Sequence, residues 1–450
     1  MLFDKEYSDS ISKRILNPEH TLPSEVHGNK YNGLKVLGLV GDWSACGYYR
    51  IILPLNILKQ LGANVKVAST LNYLDMMEYP TILAPRQHRK DINGLLTEAM
   101  WLRKTVVYEI DDDLHHVSPK NPSYSVYHQG TEELEYIDKT MRLCSGVTVS
   151  TLELGKWYKK NNQNVFKLLN HIDFSQRDWS ADIKWDGNNI HATLLPIERP
   201  AEYGDKIVIG YSCGNTHIED FDSMAGEITR VLLKYPNTVF AIYSSPTIQD
   251  LFTKFIKKFD KDNLLTPDRI IYIPGRHFLD HPVGLKGMDI QIGPLVVNQF
   301  NMAKSDLKYL EASASGAAFV GTSCAPYART HFETGGKLLL VGQSKECFPS
   351  WTSALSYLIE NPEKRKSLAS ESREWVFKNR SMEGHIQDWV NSWMQVETRV
   401  RSGHVGPPLV SLPKSEYQEY GKYGRNQPCP IQADPENPVK YKNSYYKAWG

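Results

Sequence analysis

Short apolar, β-branched runs alternate with helix-like segments along most of this chain, and they do so in two series. The first series comprises residues 34–39, 64–68, 81–83, 105–110, 146–150 and 165–169. The second comprises 206–211, 239–243, 270–273, 289–292, 318–321 and 337–341. Runs that are apolar throughout suit strands buried on both faces, and parallel strands need the intervening helices as crossovers. The pattern predicts an α/β fold of two Rossmann-like domains facing across a cleft. Helices are predicted over 50–60, 222–234, 249–258, 305–315, 353–360, 362–377 and 384–398. Domain boundaries follow: 1–173, a linker at 174–203 without sustained periodicity, and a second domain at 204–380. A helix at 381–400 is expected to return toward the first domain.

At 450 residues the chain is long enough for more than one core. A net charge of +1 argues against a strongly polybasic nucleic-acid module. The cysteines, from Cys46 to Cys429, form no C-x-x-C pair, which disfavours zinc ribbons and disulfide frameworks. The N-terminal stretch lacks the apolar centre of a signal peptide. No apolar run approaches the ~18–20 residues that cross a bilayer. A cytoplasmic protein without integral membrane association is expected; oligomeric state is not readable. Residues 401–450 combine frequent prolines with Tyr417, Tyr420, Tyr423, Tyr441, Tyr445, Tyr446 and Trp449. So many aromatics predict a strap packed over one domain.

The most specific chemistry lies in residues 288–328. A strand-like run leads through a polar loop, 297–303, into a helix-like segment carrying Glu311, then Gly316 and a second apolar run. A helix start facing a strand's carboxyl end suits a phosphate-bearing ligand, because free N–H groups and the helix dipole favour negative charge there. Lys304 and Ser305 are expected at that helix start, Ser305 equally as a simple cap. Glu311 suits a ribose hydroxyl; an exposed pair with Lys308 is the plain alternative. Asn301, just before the helix, is a candidate for contacting a sugar.

Further candidates sit at other strand ends. Asp111, Asp112 and Asp113 follow the run 105–110, with His115 and His116 beside them. Acceptor-hydroxyl binding, a divalent-cation site and a strand-to-loop cap are all compatible with them. Gly41, Gly47, Tyr48 and Arg50 form the first loop and helix start. Gly47 would admit close backbone approach, and Arg50 would pair with a phosphate or simply lie on the surface. Gly214 and His217, in SCGNTH, are their counterparts in the second domain.

Together, GDWSACGYYRIILPLNILKQLGANVKV, VVYEIDDDLHHV, VTVSTLELGKWYKK, IVIGYSCGNTHIEDF and DIQIGPL…FNMAKSDLKYLEASASGAAFVGT resemble the GT-B glycosyltransferases, in particular retaining family 4. The resemblance covers roughly residues 34–395. It implies a GT-B fold and transfer of a sugar from a nucleotide-sugar donor, UDP- or GDP-linked, to an acceptor hydroxyl. Neither a tightly bound cofactor nor a metal is implied. The acceptor would be a glycan or another hydroxyl-bearing group, a modified nucleic-acid base included. Retention would follow from the leaving phosphate taking the acceptor's proton on the same face. In the family's E-x7-E pattern the second glutamate, at the ribose, maps onto Glu311; the first maps onto Ala303, so the sugar contact is missing. The paired Arg and Lys at the donor phosphates are not evident either, and Arg276, Lys304, Lys308 or Arg50 would replace them. The chemistry would then rest on Lys304 and Arg276 at the diphosphate and on Asp112 at the acceptor. A non-catalytic nucleotide- or glycan-binding protein and a nucleotide-sugar epimerase of the same fold are the alternatives.

Overall fold

The computed structural model describes residues 22, 25–40, 45–175 and 179–401. Two six-stranded sheets, parallel throughout, account for every predicted strand. The first has the order β2-β1-β3-β4-β5-β6. Its strands are β1 (Lys35–Leu39), β2 (Asn64–Ala68), β3 (Thr81–Pro85), β4 (Thr105–Ile110), β5 (Gly146–Val149) and β6 (Val165–Lys167). Between them, residues 181–194 form an antiparallel hairpin of β7 (Ala181–Asp186) and β8 (Asn189–Leu194). The second sheet runs β11-β10-β9-β12-β13-β14. It comprises β9 (Ile207–Ser212), β10 (Thr238–Ser244), β11 (Ile270–Pro274), β12 (Ile290–Gly293), β13 (Ala318–Thr322) and β14 (Leu339–Val341).

The hairpin corrects the expectation of a linker without regular structure. Its strands alternate buried or half-buried with exposed positions, and Gly187-Asn188 supplies the tight turn, Gly187 with a φ of 54°. The central strands behave as predicted, with β4, β5, β10 and β12 buried along their whole length. In each sheet the strand order reverses direction once, between β1 and β3 and between β9 and β12. Ligands of open parallel sheets bind outside the carboxyl ends at such a reversal.

The first predicted helix is two pieces. A π-helical turn, Tyr48–Ile52, runs into an α-helix, Leu53–Gln60. Pro54 cannot donate a backbone hydrogen bond and its ring crowds the preceding turn, so the wider turn lies just ahead of it. The helix Leu307–Ala314 begins later than expected: Asp306, not Lys304 or Ser305, is its N-cap residue. The Asp306 side chain makes no cap bond and instead meets Arg380 Nη2 at 2.7 Å and Thr330 Oγ1 at 2.8 Å. The last helix, Met382–Arg401, packs against Leu53–Gln60 and β4 of the first sheet. Trp389, Trp393 and Val396 bury there in a core that also holds residues of the second sheet. The predicted aromatic strap and Gly41 lie outside the described residues.

Backbone approaches closely where β12 ends. A Cβ on Gly293 would stand 2.5 Å from Phe319 Cζ and 2.8 Å from Tyr327 Cζ. Neither ring can yield cheaply in a packed core. Gly293→Ala is therefore expected to cost about 1–3 kcal/mol of stability, read as a lower melting temperature.

Candidate functional site

The carboxyl ends of both sheets face one cleft of about 740 Å³. From the first sheet come Ala45, Cys46, Tyr49 and Arg50 after β1, Arg86 after β3, Asp111 and Asp112 after β4, and Asn170 after β6. From the second come residues 212–217 after β9, Ser244 and Ser245 after β10, and 275–278 after β11. Leu295 and the start of the Leu307–Ala314 helix complete that wall, with Lys304, Ser305, Leu307, Lys308 and Glu311. The cleft thus gathers Lys304, Arg276, Asp112, Glu311, Ser305, Lys308, Gly214, His217, Arg50 and Asp111. Gly47, Tyr48, Asp113 and Asn301 do not line it.

Glu311 is buried and tied to both halves. Tyr49, from the first half, donates its hydroxyl to Glu311 Oε1 at 2.9 Å, and His281 Nε2 stands 3.3 Å from the same oxygen. Burial alone would push this carboxyl up. His281, Lys308 and the Tyr49 hydroxyl outweigh it and hold Glu311 below the ordinary glutamate range. The plain alternative, an exposed pair between Lys308 and Glu311, does not form, and each has other partners. Lys308 Nζ donates to the Ser212 carbonyl at 2.5 Å, and burial lowers its ammonium against the pull of Cys213 and Glu311.

A second charged group spans the cleft. Lys304 Nζ lies 3.4 Å from Asp112 Oδ1 and 4.4 Å from the centre of the Phe300 ring. Arg86 places Nη1 3.5 Å from Asp112 Oδ2 and Nε 3.7 Å from Asp111 Oδ1. Burial raises the Asp112 carboxyl, but Lys304 and then Arg86 prevail and keep it below its usual range. Arg86 holds a φ of 37°, unusual for a side-chain-bearing residue and of the kind that collects at ligand sites. Cys46 Sγ and one oxygen each of Asp111 and Asp112 lie within 4.8 Å of one another. A cation held there would have to displace Arg86 and Lys304 from the same carboxylates. Arg276, exposed on the opposite wall, has no ion-pair partner among the described residues.

Several sequence candidates have structural partners instead. Arg50, expected at a phosphate or on the surface, is 1% exposed. Its Nε meets Glu109 Oε1 at 2.6 Å, and Nη1 donates to the Leu168 carbonyl at 2.6 Å and Asn170 Oδ1 at 2.8 Å. Gly47 sits in ordinary right-handed helical conformation and does not line the cleft. Tyr48 is buried and stacks on Phe278 with ring centres 4.8 Å apart. Asp113 is buried against His116 Nδ1 at 2.8 Å. Asn301 donates to Asp220 Oδ1 at 3.0 Å and to the Val296 carbonyl at 2.8 Å, so its amide braces a loop. Ser305 is not a cap; its hydroxyl accepts from Asn170 Nδ2 at 2.8 Å.

Sequence reasoning missed Arg86, Tyr49, His281 and Asp220. Arg86 had a signal, since it directly follows a strand-like run. Asp220 stands three residues beyond His217, the spacing at which its Oδ2 meets His217 Nδ1 at 2.8 Å. Nothing local marks Tyr49 or His281.

No protein-family model and no curated protein matches the sequence. Solved structures do match its fold. Anabaena HepE, in complex with UDP and glucose, is 12% identical; the match covers 80% of this chain and 99% of that one, with a TM-score of 0.52. Sucrose-phosphate synthase from Thermosynechococcus elongatus is 11% identical over 81% and 99% of the two chains, with a TM-score of 0.53. A glycosyltransferase from Rickettsia africae is 10% identical over 81% and 99%, also with a TM-score of 0.53. With two parallel Rossmann-like sheets about one cleft, this chain has a GT-B-like fold, which it shares with HepE, the sucrose-phosphate synthase and the Rickettsia glycosyltransferase.

Proposed function

We propose that the protein is a nucleotide-sugar-dependent glycosyltransferase whose second sheet carries the donor. One observation carries this reading. Lys304, Lys308, Arg276 and a buried Glu311 converge at the strand-order reversal of the second sheet, around a helix start. The free N–H groups of Ser305 to Lys308, with the Lys304 and Lys308 ammoniums and the Arg276 guanidinium, suit the diphosphate. Glu311, held ionised, suits the ribose hydroxyls. Asp111 and Asp112, kept in place by Arg86, face them from the first sheet and suit an acceptor hydroxyl. HepE, of similar fold, is complexed with UDP and glucose, which favours UDP among the donors.

Charge development on the leaving diphosphate would be met by cations already in position, and this kind of preorganisation is commonly the largest contribution to such catalysis. With the leaving phosphate as the base, no carboxylate nucleophile is needed and the sugar is transferred with retention. The Tyr49 and His281 contacts of Glu311 must loosen or be shared as ribose enters.

Glu311→Ala tests the donor assignment. Calorimetric titration with UDP and GDP is expected to show binding about ten- to a hundred-fold weaker, the loss expected when charged hydrogen bonds disappear. Unchanged affinity would sink the ribose assignment. The pH dependence has a definite sign. A carboxyl lowered in the folded state contributes stability that is complete above its unfolded value and is lost progressively as pH falls from there through the folded one. Because Glu311 in the folded protein stays ionised below the ordinary glutamate range, its contribution to nucleotide affinity should hold as pH drops through that range.

Ala303 favours a second reading, a protein that binds the donor without transferring its sugar. It offers no carboxylate, and its carbonyl is engaged by Thr151 Oγ1 at 2.8 Å. Turnover of any nucleotide sugar would exclude that reading.

A further inference from the structure

His217 and Asp220 form a dyad on the donor wall that diphosphate binding leaves unused. His217 closes the turn Asn215–His217 behind β9 and lines the cleft. Its Nδ1 lies 2.8 Å from Asp220 Oδ2. The other Asp220 oxygen accepts from the Val296 N–H at 2.7 Å and from Asn301 Nδ2 at 3.0 Å. A carboxylate facing three nitrogen donors accepts at each contact, so the shared proton belongs to His217 Nδ1. Nε2 then carries the lone pair. Burial first, and Lys308 second, bring the imidazole down to about 4, so the ring is neutral at neutral pH. Nε2 has no hydrogen-bond partner among the described residues, and the His217 side chain, 12% exposed, lines the cleft.

A neutral ring with a fixed lone pair is a poor neighbour for a phosphate oxygen and a good one for a hydroxyl. The cations that suit phosphate, Lys304 and Lys308, stand beside it and hold it neutral. We infer that His217 accepts a hydrogen bond from a hydroxyl of the donor's sugar, fixed for that task by Asp220, Val296 and Asn301. His217 is then a specificity-determining residue, and the bracing amide of Asn301 acts on the sugar through it. Sites built to pair a hydroxyl discriminate strongly against ligands lacking it, because their own polar atom is left unmatched. The inference rests on the donor-binding reading above.

The test compares matched ligands. UDP-glucose, GDP-mannose, ADP-glucose and dTDP-glucose, each beside its free nucleoside diphosphate, are titrated into the wild type, His217→Phe and His217→Gln. His217→Phe keeps the ring volume and removes the lone pair; His217→Leu replaces it should Phe not fold. The expected result is a roughly ten- to hundred-fold loss of affinity for the preferred nucleotide sugar. The matched diphosphate should bind within about two-fold of wild type, and His217→Gln, which keeps an acceptor oxygen, should recover most of the loss. Equal loss for both ligands, or no loss for the sugar form, overturns the assignment while leaving the donor site standing. A wild type that binds none of the nucleotide sugars overturns both.

Discussion

Lys304→Ala is expected to lower turnover of a nucleotide sugar by about 10²–10³-fold, the effect of removing one preorganised donor from a developing oxyanion. The ammonium lies at the start of the Leu307–Ala314 helix, 3.4 Å from Asp112 and over the Phe300 ring. In the free protein its charge faces a carboxylate across the cleft. When a diphosphate enters, the same ammonium stands between the leaving group and the acceptor side. The loss should appear mainly in kcat, with a smaller change in KM, because the charge on the phosphate grows in the transition state. Folding should be little affected. Arg86 stays beside both Asp111 and Asp112, so the Asp112 carboxylate keeps a counter-charge when Lys304 is gone. Lys304→Arg should retain part of the activity. A loss of less than about three-fold in Lys304→Ala would remove Lys304 from the chemistry.

The second large effect concerns stability. Arg50→Met is expected to cost about 3–5 kcal/mol, because it leaves Glu109 buried without its counter-charge. Glu109 is 3% exposed, and burial already pushes its carboxyl up against the opposing pull of Arg50. Thr148 Oγ1 also donates to Glu109, and the Arg50 guanidinium stacks over the Trp389 ring at 4.7 Å. One side chain thus joins β4, the segment after β6 and the final helix. The double variant Arg50→Met, Glu109→Gln should recover much of the lost melting temperature, because both charges are then gone. A double variant no more stable than the single one would show that Arg50 acts through packing on Trp389 instead.

These two residues illustrate how far the sequence could be read. The parallel strands were legible because burial on both faces makes them nearly continuous apolar runs, as in β4 and β10. The hairpin β7–β8 was not, because its polar alternation in a short exposed pair resembles a loop, although Gly187-Asn188 is a turn dipeptide. Glu311, Lys304 and Lys308 line the cleft as expected of one short stretch that leads from a strand end into a helix. Arg50 was misjudged for a physical reason: its partner Glu109 is 59 residues away, and no local pattern reports burial. The same holds for Tyr49, whose bond to Glu311 spans 262 residues. Asn301, expected in a loop, lies within a short helix, Gln299–Met302, and its amide is committed to Asp220, which only the fold brings within reach. Arg86 was legible by position and overlooked.

The account stands or falls on whether this cleft turns over a nucleotide sugar through Glu311 and the cations beside it. The direct measurement is release of nucleoside diphosphate from UDP-, GDP-, ADP- and dTDP-sugars, by the wild type and by Glu311→Ala in parallel. Release is expected from at least one donor, UDP-linked before the others, with a strong reduction in the variant. Release at equal rates by both proteins, or from no donor by either, would contradict it.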